Sequence, residues 1–213
     1  HIGGAASSSS EDNAIFNKSA GQVSFSEEMK TVTNKDKLQV VVSRNTMCTI
    51  TDVQGKLVEQ YKVPYGATLE VDNAADLEDG IKIASWDPYT RPIVSEVSGK
   101  VKLNDIVDGI SVRTQTDELT GLSSIEVMDV SERPSAGKEL VPSISLVDSK
   151  GNAVLVGDHK APATYTLPAN ALVNLAPNQK LTAGEVLARI PLVASKTKDM
   201  TGGLPRVADL FEA

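Results

Sequence analysis

The sequence predicts an all-β protein, built as two tandem β-domains with flexible or short helical ends. Three observations predict it. The interior is a succession of short runs rich in Val, Ile and Thr, each bounded by turn residues. No interior stretch of ten or more residues holds a helical period. One block of sequence also occurs twice, which is the mark of a repeated structural unit.

The runs, in order, are Leu38–Val42 (LQVVV), Cys48–Asp52 (CTITD), Ala67–Val71 (ATLEV), Ile81–Ser85 (IKIAS) and Ile93–Val97 (IVSEV). Further on come Val101–Leu103 (VKL), Ser124–Val130 (SIEVMDV), Ser143–Asp148 (SISLVD) and Ala171–Leu175 (ALVNL). Between them stand Gln54-Gly55, Glu78-Asp79-Gly80, Asp108-Gly109, Lys150-Gly151 and Ala183-Gly184. These are turn residues, and many short strands at such spacing predict compact barrels or sandwiches.

The repeat aligns Val63–Ala84 on Leu167–Ala188 without gaps. Pro64 matches Pro168, Ala67 matches Ala171, and Leu69 and Val71 match Val173 and Leu175. Leu77, Gly80 and Ala84 match Leu181, Gly184 and Ala188, and upstream Thr49–Val58 parallels Ser145–Val154. The second copy carries a longer excursion around Asp158–Ala163. Each copy reads strand, turn, strand, Pro-led strand, turn with Gly, strand. The expected domains are 17–97 and 98–193, with the boundary near Val97–Gly99 and exchange of strands across it left open.

The two ends read differently. His1 to about Phe16 (HIGGAASSSSEDNAIF) has a Gly pair and a Ser run, too little apolar surface to fix one conformation, and is expected to be a flexible strap. Residues 194–213 contain Gly202-Gly203, a hinge, followed by a helix start. Pro205 suits a first helical turn, and Leu204, Ala208 and Phe211 share a face.

Net charge is −7, and no run of Lys or Arg occurs. Nucleic-acid binding draws most of its affinity from neutralising phosphates, so weak or no direct binding is expected and protein partners are favoured. Local pairs such as Arg44 with Lys56 and Lys62 are the nearest approach to a DNA contact. The single cysteine, Cys48, sits in an apolar run as a small hydrophobe and leaves no internal disulfide. No stretch approaches the roughly 20 apolar residues of a membrane span, so the expected compartment is the cytoplasm and no membrane partner is expected. A start at His1 without Met, and a stop inside the helical pattern, read as an excised piece.

Catalytic constellations are nearly absent. His159 lies in a polar excursion (VGDHKAPA) with no Ser singled out as partner, and reads as a solvated loop residue. One Cys and two distant His cannot build a zinc site. Glu78-Asp79, with Asp72 and Asp76, lacks calcium-loop spacing and reads as a solvated turn. Gly3-Gly4 and Gly202-Gly203 lack the Lys-Ser/Thr of a phosphate loop and read as hinges. The small β-fold with a Gly turn before an "IA" strand is also similar to biotinyl and lipoyl carriers. Those present a Lys at a hairpin tip, whereas WDPYTRPIVSEVSG has none before Lys100.

HIGGAAS (His1–Ser7) and TGGLPRVADLFEA (Thr201–Ala213) resemble the two arms of the trigger loop in the β′ subunit of bacterial DNA-directed RNA polymerase. YKVPYGA (Tyr61–Ala67), WDP (Trp86–Pro88), EVSG (Glu96–Gly99) and RTQTDELTGLSS (Arg113–Ser124) are similar to the insertion domain found in that loop in some bacterial lineages. The resemblance spans the chain. It implies two tandem sandwich-barrel hybrid motifs, residues 1–16 as the N-terminal arm and linker, and 194–213 as the C-terminal arm.

The family's reaction is RNA synthesis by a nucleotidyltransferase using a two-metal mechanism. Its Mg-binding and Zn-binding residues are expected outside this segment, and no cofactor is expected within it. His1 matches the trigger-loop histidine that meets the incoming nucleotide's phosphates, a catalytic role expected only in the intact enzyme. Gly3, Gly4, Gly202 and Gly203 are the expected hinge. The fragment alone is not expected to be catalytic. Other polymerase subunits, parts of β′ and transcription factors are the expected partners. Modulation of elongation, pausing and transcript cleavage is the leading expectation, and a passive docking module is the alternative.

Overall fold

The computed structural model describes residues 13–192, which fall into two compact units dividing between Pro88 and Tyr89. The first unit contains β1 (Ala14–Phe16), β2 (Gly21–Phe25), β3 (Thr31–Thr33), β4 (Gln39–Val41), β5 (Thr46–Thr51), β6 (Leu57–Val63), β7 (Thr68–Leu69), β8 (Asp76–Leu77) and β9 (Lys82–Ser85). The second contains β10 (Thr90–Val94), β11 (Gly99–Asn104), β12 (Val112–Thr116), β13 (Ser123–Val127), β14 (Ser143–Val147), β15 (Leu155–Val156), β16 (Ala161–Pro162), β17 (Thr164–Thr166), β18 (Leu172–Val173), β19 (Lys180–Leu181) and β20 (Val186–Pro191). Apart from two short 3-10 turns, the described residues form no helix, and none is long and apolar enough to cross a membrane. The protein is all-β, as its sequence predicts.

The duplication holds strand by strand. One sheet of the first unit runs β1-β9-β7-β4-β3, and its counterpart in the second runs β10-β20-β18-β13-β12. The other matching pair runs β6-β5-β2-β8 and β17-β14-β11-β19, and the second unit adds the two-stranded sheet β15-β16. Register is preserved as well. Ile15 faces Ala84 as Ile93 faces Ala188, and Gln39 faces Leu69 as Ile125 faces Val173. Pro64 and Pro168 open equivalent turns, in which the N–H of Ala67 and of Ala171 returns to the proline carbonyl at 3.2 Å. Next to them, Gly66 and Asn170 both have positive φ, 90° and 72°, a region open to Gly and tolerated by Asn.

Each core is filled from both sheets of its unit. In β5 the alternation is complete: Thr46, Cys48 and Ile50 are buried, while Met47, Thr49 and Thr51 are half-buried. Val23, Val41, Ile50, Val63, Ala67 and Ile83 meet in the first core. Val101, Val127, Leu146, Leu167, Ala171 and Leu187 occupy the matching places in the second. With aromatics at 4% of the sequence, these aliphatic side chains carry the burial.

Two expectations are corrected. The strap does not extend to Phe16, because Ala14–Phe16 is a strand paired with β9. Just beyond it, buried Asn17 donates from Nδ2 to the carbonyls of Ser19 and Glu78 and accepts the Ile81 N–H at 2.7 Å. The Glu59 carboxylate then takes the N–H groups of Lys18 and Ser19. The division between units lies at Pro88/Tyr89 rather than near Val97–Gly99. Residues Thr90–Val94 pair along β20 with Pro92 on the sheet edge, the place a strand accepts proline. Every ladder closes within its own unit, so among the described residues no strand is exchanged.

Two predictions follow from comparing the copies and from the core. Ala74 holds φ 71° at the place where the second unit has Asn178 at φ 67°. Ala74→Gly is expected to raise the first unit's stability by about 0.5–1 kcal/mol, measured by denaturant unfolding. Burial, with the Glu59 charge adding, pushes the Cys48 thiol up to about 12. The folded state therefore holds that proton longer than the unfolded chain. The stability it confers is full below pH about 9 and falls as pH rises from there toward 12. Cys48 should resist thiol reagents at pH 8 until the first unit unfolds, and rapid labelling of the native chain would contradict the packing.

Candidate interaction surface

The residues expected to carry chemistry or hinge motion (His1, Gly3, Gly4, Gly202 and Gly203), and the expected helix start around Pro205, lie outside the described residues. Among the described residues no group of His, Cys, Asp or Glu is arranged to hold a metal ion. His159 is exposed in the turn between β15 and β16, as its polar surroundings predict. Lys100 sits within β11, opposite Val147, and not at a hairpin tip. The three cations weighed for DNA do not form one patch. Arg44 stacks over the Tyr65 ring at 4.7 Å, while Lys56 precedes β6 and Lys62 lies near its far end, roughly 20 Å apart by strand rise.

The second unit departs from the first in three places that offer surface to a partner. One is the β12–β13 hairpin. Its strands pair from Val112↔Val127 to Thr116↔Ser123, longer than the three-residue β3–β4 pairing. Its turn is built by Asp117, whose Oδ1 accepts the Leu119 N–H at 2.8 Å, while the Gly121 N–H donates to the Asp117 carbonyl at 2.7 Å. This fixed turn presents Leu119, 95% exposed, and Leu122, 70% exposed, beside Asp117 and Glu118. Two bare leucines on an ordered turn, next to carboxylates, suit an apolar recess with a basic rim on another protein. The free edge of β12 is not equally inviting. Asp108 Oδ1 accepts the Thr114 N–H at 3.1 Å and the Gly109 N–H donates to the Val112 carbonyl, which blocks much of that edge.

The second departure is the connection from β13 to β14, which passes through 3-10 turns at Val130–Glu132 and Ser135–Gly137. Arg133 holds it from inside. At 6% exposure its guanidinium donates to the carbonyl of Met128 through Nε and Nη2, and to those of Gly137 and Leu140 through Nη1, at 2.9–3.1 Å. A planar five-donor fork satisfies several carbonyls at once, which a lysine cannot reproduce. Gly137 is required because a Cβ there would sit 2.3 Å from the Ile110 carbonyl oxygen. Sequence reading passed over Arg133, since nothing in a lone arginine distinguishes a buried clamp from a surface charge. The third departure is the β15–β16 hairpin that bears His159.

No family model matches the chain. Curated relatives do. The sequence is 52% identical over all 213 residues to the DNA-directed RNA polymerase subunit beta' of Shewanella amazonensis. It is 50% identical, again over its full length, to those of Idiomarina loihiensis and Aliivibrio fischeri. In each case the chain spans 15% of the relative's length. At about half identity from its first residue to its last, the chain is homologous to a segment of the bacterial RNA polymerase β′ subunit.

Proposed function

We propose that the two β units form an insert in the polymerase trigger loop, and that they modulate RNA synthesis by favouring one state of that loop over another. The observation that carries this reading is the homology to β′ over the whole chain, which takes in His1–Ser7 and Thr201–Ala213 together with the β units between them. In this reading those end segments are the arms of the loop. His1 stabilises charge on the incoming nucleotide's phosphates when the loop folds, with Gly3, Gly4, Gly202 and Gly203 as the hinge. The parent complex is a cytoplasmic nucleotidyltransferase, and its metals are bound elsewhere in β′.

In the first unit the Asn13 carbonyl accepts the Trp86 N–H, and in the second the Leu192 N–H donates to the Tyr89 carbonyl, both at 2.9 Å. The modulation itself requires contacts that differ between loop states, because attachment alone shifts no equilibrium. The β12–β13 turn is the surface we assign to such contacts, with other polymerase subunits, other parts of β′ or transcription factors as partners.

Two measurements test this. Replacing Ser8–Ala194 by a short linker in the intact enzyme should change pause lifetimes or transcript cleavage by about fivefold or more, the lower range of common coupling energies. Unchanged kinetics would favour passive docking instead. L119S/L122S should leave unfolding of the isolated chain within about 0.5 kcal/mol, since both side chains face solvent. In the intact enzyme the same pair should reproduce part of the deletion's kinetic effect.

A further inference from the structure

The first unit has a depression that the second lacks the residues to form. It is a recess of about 330 Å³, open on one side, with Phe25, Met29, Leu69 and Val71 as its apolar lining and Glu27 and Asp72 among the residues around it. No Lys or Arg lines it. Its wall is fixed by hydrogen bonds. Thr31 Oγ1 donates to Gln39 Oε1, and Gln39 Nε2 donates to Thr33 Oγ1, both at 2.7 Å. Asn73 Oδ1 accepts the Phe25 N–H at 3.0 Å and holds the end of β2 against the 72–73 turn.

The duplicated copy serves as an internal control. Gln39 and Ile125 occupy the same register, opposite Leu69 and Val173. Phe25 lies opposite Cys48 as Leu103 lies opposite Ile144. The repeat places Ala176 where the first unit has Asp72, and Leu175 where it has Val71. In the second unit Leu103, Ile106, Ile125 and Leu175 all pack against the core. Asp105 stands where the first unit has Glu27, and its Oδ2 accepts the Val141 N–H at 2.9 Å. One copy thus builds this end with aliphatic side chains and a carboxylate engaged by its own backbone. The other keeps an apolar floor with two acids and hydrogen-bonded polar walls. The fold does not demand Gln39 and Asp72, since the sister unit has Ile125 and Ala176 at those places.

We propose that this depression is a docking pocket for an arginine side chain carried on a loop of a protein partner. The stem lies on Met29 and Leu69, the guanidinium stacks toward Phe25, and Glu27 and Asp72 neutralise it. Arginine fits better than lysine because its planar, weakly hydrated cation packs on an aromatic face and still accepts carboxylate partners. An uncharged apolar side chain would leave both acids beside a dry contact, without a partner. This inference concerns the first unit alone and stands whether or not the chain acts on a trigger loop.

The test is a titration of the 213-residue chain followed by NMR at the Met29 methyl and the Phe25 amide. The probe is the peptide acetyl-Gly-Leu-Arg-Gly-amide, compared with the same peptide carrying citrulline, the neutral isostere, and with one carrying lysine. The expected result is millimolar saturable binding of the arginine peptide that weakens by about fivefold or more with citrulline, as loss of a partly exposed ion pair implies. E27Q/D72N should weaken the arginine peptide to the same degree, and Q39I/D72A, which copies the second unit, should abolish its binding. Both variants must keep the native spectrum elsewhere, which separates loss of the pocket from loss of fold. Equal binding of arginine and citrulline, tighter binding of lysine, shifts confined to other residues, or no shift at all would each overturn the proposal.

Discussion

Both units depend on the register set at the turn after Pro64 and Pro168. In the first, the Val41 N–H donates to the Ala67 carbonyl and the Gly66 N–H donates to the Val41 carbonyl, each at 2.8 Å. In the second, Val127, Ala171 and Asn170 make the same pair of bonds at 3.0 and 2.8 Å. A strand shifted by one residue turns its side chains to the opposite face. A slip here would remove Ala67 and Leu69, or Ala171 and Val173, from cores in which they are almost fully buried. Small aliphatic cores have little surplus to absorb that loss. The turn conformation at Gly66 and Asn170 therefore governs whether two sheets can close on one interior.

With the frame secured in this way, the surface is free to differ. The first unit keeps a short β3–β4 hairpin and an acidic-rimmed recess. The second extends β12–β13 and adds a clamped excursion around Arg133, without altering the strand order beneath. Duplication thus supplies two scaffolds with separate outer chemistries.

Much of this was legible in the sequence. Runs such as CTITD and SISLVD carry their own period, and the Pro64/Pro168 repeat marks the duplication. Strands with weak patterns escaped. β1 follows a Ser-rich stretch that masks it, β12 (VRTQT) has only one buried residue, and β6 is largely exposed. The boundary was misplaced because Pro92 lies inside β10, where proline is allowed only by an edge position that sequence does not reveal. The pocket was not legible at all. Phe25, Gln39 and Asp72 come from three separate segments and converge only through register. The β12–β13 hairpin entered the sequence reading as a family-like stretch, with no sign that Leu119 and Leu122 would stand in solvent.

The central claim is that contacts of the β units change with the state of the polymerase active site. Hydrogen exchange of the intact enzyme, paused without nucleotide and then saturated with a non-reactive nucleotide, tests it most directly. Protection at Arg113–Ser124 is expected to change between the two states, because a surface that biases an equilibrium must be used unequally by its two sides. Identical exchange across residues 13–192 in both states would contradict it and leave the body a passenger on β′.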